Sequence, residues 1–330
     1  MRVTSRGEPA YAGVVDTFQK VPYAPDAGDL AGADVAIVGA PMDDLVTFRP
    51  GTRFGPREIR LASDAGDYPQ AWHMDLGIDP FEELVIVDHG DAAVRPGDPY
   101  ASHKALRDLV GTVVDAGCIP VILGGDHSIA YPDISALASR HPSGSVAVVQ
   151  FDTHTDTATE NWGVEWSHGT PFRNLVDDGV LPGNCLIQVG LRGYWPFKEE
   201  FDWARGAGVR WHRMEEVTDR GIGFVIDRIV EQTADAEHLF LSVDVDVLDP
   251  AFAPGTGTPE PGGMTTRELL AAVRRLARER SVVGIEVVEV SPPYDQSGIT
   301  AMAAHRVVLE TLSAVALRRS GRKARPEEDQ

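Results

Sequence analysis

Cysteine is nearly absent: Cys118 and Cys185 are the only two in 330 residues. Each lies in an apolar stretch, which excludes a disulfide scaffold and predicts two buried free thiols. No apolar run reaches the roughly 18 residues of a membrane span. The opening Met1-Arg2-Val3-Thr4-Ser5-Arg6-Gly7 lacks the apolar stretch of a signal peptide. A cytoplasmic protein with no membrane partner is the expectation. Basic residues are also scarce, 30 Lys and Arg against 50 Asp and Glu for a net charge of −20. No Lys/Arg block precedes the C-terminal tail, so a nucleic-acid partner is excluded. The acidic surplus favours a cationic ligand, and serves solubility equally well. There is no Pro/Gly/Ser-rich linker and no internal repeat at the roughly 20–50-residue periods of solenoids.

What is present is a core-forming sequence, 43% hydrophobic. Short apolar runs rich in Val and Ile recur at 34–39, 84–88, 119–123, 145–151, 185–190, 208–211, 239–245 and 282–288. Continuous rather than alternating apolar runs predict strands covered on both faces. Between them lie helical stripes. Over 100–116, Leu106, Leu109, Val110, Val113 and Val114 repeat at i, i+3, i+4, and over 265–279 Leu269, Leu270, Val273, Leu276 and Ala277 do the same. Thr265 and Glu268 open the latter with a capping-box pattern. The alternation predicts an α/β fold, a single doubly wound domain with a mostly parallel eight-stranded sheet. Residues 1–30 read as an irregular arm, 31–317 as the catalytic domain, and 318–330 as a disordered, solvated tail.

Two acidic clusters interrupt this pattern, Asp152-Thr153-His154-Thr155-Asp156 and Asp244-Val245-Asp246. A buried, unpaired carboxylate costs several kcal/mol, so aspartates beside apolar runs call for a bound cation. Positions i, i+2 and i+4 of an extended segment face one way, letting Asp152, His154 and Asp156 converge, as can Asp244 and Asp246. His127, in Gly124-Gly125-Asp126-His127-Ser128, completes four carboxylates and two imidazoles, enough for two metal ions. All follow strand carboxyl ends, where open α/β sheets bind ligands, as does Glu289. An oxygen-rich set with some imidazole and no thiolate suits two Mn²⁺, with Ni²⁺ or Co²⁺ possible. Two such ions about 3.5–4 Å apart lower the pKa of a shared water from about 15.7 to near 7, which makes hydrolysis the expected chemistry.

Beyond these ligands, Ser167-His168-Gly169-Thr170-Pro171, Ser242 through Pro250, Arg49 through Pro56, Pro254 through Pro259 and Val287 through Pro292 complete a set that resembles the ureohydrolases, the arginase and agmatinase family. The resemblance covers roughly residues 10–317 and implies an arginase-like three-layer α/β/α fold. It implies a dinuclear manganese amidinohydrolase that cleaves a guanidino group to urea and an amine, working as a homotrimer or homohexamer on a small cationic guanidino substrate. By the same match His127, Asp152, His154, Asp156, Asp244 and Asp246 would hold the ions, with Asp156 also at the catalytic centre. His168 resembles the proton shuttle and Glu289 the carboxylate that holds the guanidinium. Thr153 departs from the family, which usually has alanine there, and its hydroxyl needs a hydrogen-bond partner.

Asp126 and Asp249 are expected to orient ligands or cap turns. The remaining histidines, His73, His89, His103, His141, His212, His238 and His305, have no ligand spacing and read as structural. Substrate choice is expected in 42–49, 159–167 and 192–197, where Trp162, Trp166, Tyr194 and Trp195 could wall a tail. Arg49 or Arg192 would meet a carboxylate tail, and Asp43 or Glu165 an amine. The wording Trp-Ser-His-Gly-Thr-Pro and Glu-Val-Ser-Pro-Pro-Tyr-Asp-Gln resembles the agmatinase and guanidinobutyrase branch, which implies agmatine or an ω-guanidino acid such as 4-guanidinobutanoate. The alternatives are free guanidine or another amidine with Ni²⁺, or a catalytically weak metal-binding subunit. A two-metal phosphoesterase lacks a basic clamp for phosphoryl groups, and a mononuclear deacetylase would not need six ligands.

Overall fold

The computed structural model describes residues 16–62, 71–195 and 197–322. Eight strands, β1 (Val35–Ala40), β2 (Ile86–Asp91), β3 (Ile119–Gly124), β4 (Val146–Phe151), β5 (Leu186–Leu191), β6 (Arg210–Arg213), β7 (His238–Asp244) and β8 (Ser281–Val288), form one sheet in the order β2-β1-β3-β8-β7-β4-β5-β6. Every neighbouring pair is parallel, so the sheet is wholly and not just mostly parallel. Helices α1 (Gly55–Leu61), α2 (Pro80–Glu83), α3 (Pro99–Asp115), α4 (Ala130–Ala138), α5 (Pro171–Asp177), α6 (Lys198–Ala207), α7 (Met214–Arg220), α8 (Ile222–Gln232), α9 (Thr266–Glu279) and α10 (Ile299–Ser320) supply the connections.

Period-two alternation within the inner strands feeds two cores. Ile37, Val121, Leu123, Val149, Leu241 and Ile285 pack with Ile59, Val225, Leu269 and Val308 on one face. Ala36, Val38, Ile122, Val148 and Phe240 pack with Leu106, Val110, Ile134 and Phe172 on the other. Both faces are apolar because both are covered, which is why the strands read as continuous hydrophobic runs.

The strand boundaries follow local chemistry. β6 starts after the expected 208 because Gly208, at φ 85°, is the left-handed cap that ends α6. β2 starts two residues late because Leu84 still caps α2, whose N-terminus Asp79 holds through the Phe81 amide. Thr265 and Glu268 do form the capping box of α9.

Both expected termini are more ordered where described. Phe18 and Leu30 of the arm are fully buried beside short 3₁₀ turns at Phe18–Lys20 and Ala27–Leu30. The expected tail begins inside α10, which runs to Ser320, while residues 323–330 lie outside the described set. By length and composition α10 is also apolar enough to cross a membrane, although 78% of its apolar window is buried inside the fold. It is a core helix, packed along α9. Cys118 and Cys185 are buried free thiols, and burial raises both above the usual thiol range.

Candidate active site

The four central strands β3, β8, β7 and β4 lie side by side, and their carboxyl ends open onto one crevice. Asp244 is the last residue of β7, and the other ligand candidates stand just past these ends rather than on extended strand. β4 stops at Phe151, and Asp152 to Asp156 form an irregular loop in which Asp156 has φ 50°. β7 stops at Asp244, whose side chain accepts from the Asp246 amide (2.8 Å) and caps the 3₁₀ turn Val245–Val247. Convergence therefore comes from turns, and the expected strand periodicity is not its cause. Glu289 follows β8 at φ 64°. Left-handed backbone at a non-glycine residue costs on the order of 1–3 kcal/mol and persists where the surroundings fix it. Gly125, at φ 40°, gives the glycine-rich turn its close approach: a Cβ there would lie 2.3 Å from the Ala40 carbonyl oxygen.

His127 Nε2 lies 2.8 Å from Ser242 Oγ, which leaves Nδ1 facing the carboxylates. Asp152 Oδ2 is 3.0 Å from Nδ1, Asp156 Oδ2 2.8 Å and Asp244 Oδ2 3.4 Å. Nδ1 is buried with no hydrogen-bond partner. A ring nitrogen crowded by three carboxylate oxygens demands positive charge, either a proton or a metal ion. Burial alone would depress the His127 pKa, but Asp152, Asp156 and Asp244 hold it well above the imidazole range. Next to it, His154 Nδ1 lies 3.0 Å from Asp246 Oδ2 and 3.6 Å from Asp152 Oδ1.

Two groups of ligand atoms, His127/Asp152/Asp244 and Asp152/His154/Asp246, each fall within 4.8 Å of one another and share Asp152. Asp156 joins the first through His127. The donor set fits two divalent ions joined by a carboxylate, hard oxygens with one imidazole on each side. Burial and neighbouring carboxylates push Asp244 well above the carboxylate range and Asp156 up to about 6, burial raises Asp246 against the pull of His154, and His127 and His154 outweigh burial at Asp152 and hold it low.

Beside the cluster, Glu289 Oε1 accepts from the His127 amide at 2.9 Å and lies 2.9 Å from His168 Nδ1. Its Oε2 is buried without a partner. Gly257 borders that oxygen, with 3.2 Å to an added Cβ. At the other ring nitrogen of His168, the Thr47 amide donates to Nε2 (3.1 Å) and the Thr47 hydroxyl lies at 2.7 Å. The donated amide marks a neutral ring protonated on Nδ1. Burial lowers the His168 pKa, but Glu289, Asp156 and Asp126 outweigh it and raise the pKa above the ordinary imidazole value.

Asp126 and Asp249 cap turns as expected. Asp126 takes the Ser128 and Leu45 amides, and Asp249 those of Ala251, Gly262 and Gly263. His103, expected to be structural, sits under the first of these turns with Nε2 2.9 Å from Ser128 Oγ. Burial lowers its pKa to about 4. The other structural histidines hold backbone or side-chain partners: His305 joins Ile59 and Gln19, and His73 joins Glu310. Thr153 Oγ1 has no hydrogen-bond partner at all, although it is fully buried.

The crevice opens into a cavity of about 660 Å³ lined by His154, Asp156, His168 and Asp244 at its base. Phe48, Trp162, Trp195 and Phe197 supply aromatic walls, and Arg49, Glu160, Glu200 and Glu260 supply charge. Several expectations for the tail end are overturned. Arg192 donates to backbone carbonyls and is not free for a carboxylate. Asp43 is buried, accepting from the Gly51 amide (2.7 Å) and pairing with Arg53. Trp166 packs on Tyr131, Tyr100 and His103, and neither it, Tyr194 nor Glu165 lines the cavity. Phe48, Glu160 and Phe197 lie in the loops expected to choose the substrate but are not singled out there, and Glu200 and Glu260 lie outside those loops and join them only in the fold.

An all-parallel sheet that delivers histidines and aspartates from adjacent strand ends to one crevice, beside an unpaired carboxylate oxygen, defines a metallohydrolase-type centre. The model of the Arginase family matches residues 33–313, and the chain belongs to that family. Members are dinuclear-metal hydrolases of guanidino C–N bonds, and the two His/Asp groups supply the ligand clusters this requires. Proclavaminate amidinohydrolase of Streptomyces clavuligerus is 38% identical over 311 residues, 94% of this chain and 96% of that protein. Its solved structure superposes with a TM-score of 0.86, covering 94% of this chain and 100% of the other at 37% identity. Guanidinobutyrase of Pseudomonas aeruginosa is 34% identical over 92% of this chain and 93% of its own. The structure of a hypothetical agmatinase from Burkholderia thailandensis is 34% identical with a TM-score of 0.83, covering 94% of each chain.

Proposed function

We propose that the chain hydrolyses an ω-guanidino acid such as 4-guanidinobutanoate to urea and an amine, with two Mn²⁺ held by His127, Asp152, His154, Asp156, Asp244 and Asp246. The observation that carries the reaction is the free Oε2 of Glu289, whose Oε1 accepts from the amide of His127, the residue with the crowded Nδ1. The ions, when bound, supply Lewis-acid charge and acidify a shared water. Glu289 receives the planar guanidinium through Oε2, anchored by the His127 amide on Oε1, and so orients the electrophilic carbon over the ligand cluster. His168, 2.9 Å from the same Oε1, carries the proton that the departing amine needs. Aromatic walls and the buried base exclude bulk water from the guanidinium end.

Arg49 supports a carboxylate tail. It is the single Arg or Lys lining the cavity among the described residues, it has no salt bridge there, and its guanidinium rests on the Phe48 and Tyr294 rings, 5.4 and 5.0 Å from their centroids. Relatives named guanidino acid hydrolase, guanidinobutyrase and guanidinopropionase agree with this choice. Agmatine is the second reading, favoured by Glu160 and Glu260, which line the same cavity without salt bridges among the described residues.

Urea release from agmatine, 4-guanidinobutanoate, 3-guanidinopropanoate, arginine and guanidine, with Mn²⁺- and Ni²⁺-reconstituted enzyme, tests both. Turnover of the acids that Arg49→Met abolishes supports the first reading. Turnover of agmatine that Arg49→Met leaves intact replaces it with the second, and guanidine turnover with Ni²⁺ alone overturns both. The same reading takes the protein as a cytoplasmic homotrimer or homohexamer, tested by cell fractionation and light scattering.

A further inference from the structure

Arg192 lies just past β5 and points toward a cluster of carboxylates, yet it forms no salt bridge among the described residues. Its guanidinium is spent on six backbone carbonyls. Nε donates to Glu260 (3.2 Å) and Pro261 (3.2 Å), Nη1 to Gly190 (3.4 Å) and Val247 (3.1 Å), and Nη2 to Asp246 (2.8 Å), Leu248 (3.3 Å) and again Glu260. The Arg192 amide meanwhile donates to the Thr153 carbonyl at 3.2 Å. One residue thus ties together the loop of Asp152 to Asp156, the turn that carries Asp246, and the 260–261 rim of the cavity. The approach requires Gly263, where a Cβ would stand 2.6 Å from Nη2. Burial lowers the guanidinium pKa against the pull of Asp246, Asp152 and Glu260, so a partly desolvated positive charge sits behind these carboxylates.

The contacts are unevenly shared between the two ligand groups. Asp246 is fixed at its carbonyl by the Arg192 side chain, at Oδ1 by the Thr153 amide (3.2 Å) and at Oδ2 by the Thr258 hydroxyl (3.4 Å), while Thr153 is held by the Arg192 backbone amide, which substitution of the side chain leaves in place. His127 instead leans on Ser242 and Glu289, neither of which touches Arg192, and among the described residues Asp244, held by β7, meets the Arg192-bound turn through the Asp246 amide alone (2.8 Å). We propose that Arg192 is a positioning residue for one of the two metal positions, that of Asp152, His154 and Asp246, and leaves the position of His127, Asp152 and Asp244 in place. This rests on the two-metal reading above.

The experiment counts Mn²⁺ per folded chain in wild type, Arg192→Ala, Arg192→Lys and Asp249→Asn, and records the electron paramagnetic resonance signature of an exchange-coupled pair. Asp249→Asn removes a staple of the same 262–263 segment without touching Asp246. Wild type is expected to hold two coupled ions. Arg192→Ala is expected to hold one, with the second bound about 10–100-fold more weakly, as for the loss of other outer partners of metal ligands, and the coupled signal returning at raised Mn²⁺. Arg192→Lys falls between, because an ammonium with three donors cannot reach six carbonyls, and it carries the test if the alanine variant fails to fold. Asp249→Asn should lower Tm and keep both ions. Two ions at wild-type affinity in the arginine variants, simultaneous loss of both, or equal loss in Asp249→Asn would overturn the proposal. Fewer than two ions in wild type would instead defeat the two-metal reading itself.

Discussion

Replacing Glu289 by Gln isolates the step in which the guanidinium is held. The carboxylate is almost wholly buried, and Oε1 has two contacts, the His127 amide and His168 Nδ1, both at 2.9 Å. An amide oxygen can keep both, so the fold and the His127 position should survive. The change falls on Oε2, which has no partner in the protein and becomes an NH₂ group that meets the guanidinium N–H groups donor to donor. A charge-assisted hydrogen bond contributes about 1.5–3 kcal/mol, and a second donor left facing it adds on the order of 1 kcal/mol or more. Together these give about 2.5–4 kcal/mol, which at about 1.36 kcal/mol per tenfold predicts a loss of roughly 10²–10³ in kcat/KM. Folded stability should be unchanged or higher, because a buried charge is removed. The assay is urea release, with metal content and Tm measured on the same preparation. A kcat/KM within tenfold of wild type, with both metals present, would remove Glu289 from substrate binding. Loss of metal with activity would make it a ligand instead.

His168→Asn should retain both metals and lose about 10²–10⁴ in kcat by removing the proton carrier, whereas Asp244→Ala should lose metal and activity together; equal metal loss in the two would refute the division of roles. Thr153→Val should raise stability by on the order of 1 kcal/mol, since it replaces a buried hydroxyl without a hydrogen-bond partner by a methyl of similar volume; a Tm at or below wild type would show that the hydroxyl is satisfied. In chelator-treated protein, stability should fall as pH rises. Burial first, then Glu289, raises Asp126 to about 6, and burial first, then Asp152, raises Asp156 to about 6, so across about pH 4–6 the folded form binds more protons than the unfolded chain and each step upward destabilises it. For Asp126 the difference corresponds to on the order of 3 kcal/mol. His127 and His154, raised by their carboxylates against burial, add stability present below about 6.5 that is lost as pH climbs through their folded values, while two groups have the opposite sign: Asp152, held low, acts only below about pH 4, and His103, lowered by burial to about 4, offsets part of the fall up to about pH 6.5. A chelated Tm that rises between about pH 5 and pH 8 would contradict this balance.

The inner strands were legible because they are short and buried on both faces, so their apolar runs stand out, and all eight, including the half-exposed edge strand β6, lie within about two or three residues of expectation. Boundaries slipped where a cap intervened, as at Gly208 and Leu84. The clusters at 152–156 and 244–246 were visible because carboxylates beside apolar runs violate the ordinary pattern of burial. Their geometry was not: the alternate spacing suggested an extended strand, and the chain instead bends through a left-handed Asp156 and a capped 3₁₀ turn. Arg192 shows the limit at the tail end of the site. From sequence an arginine in a cavity loop can bind a carboxylate tail equally well, and only the positions of six carbonyls from separate segments reveal that its donors are already used. Phe48, Trp195 and Glu260 likewise become neighbours through loops far apart in the chain.

By itself the sequence determined the residue types and their local placement: apolar runs that must be covered, and carboxylates and imidazoles set just past their ends. Strand order was decided by the tertiary structure. Pairing of β8 between β3 and β7, with β4 next, puts His127, Glu289, Asp244 and Asp152 on adjacent strand ends although they span about half the chain. Which strands pair depends on how two helical layers cover both faces at once, a condition on the whole domain that no local segment encodes.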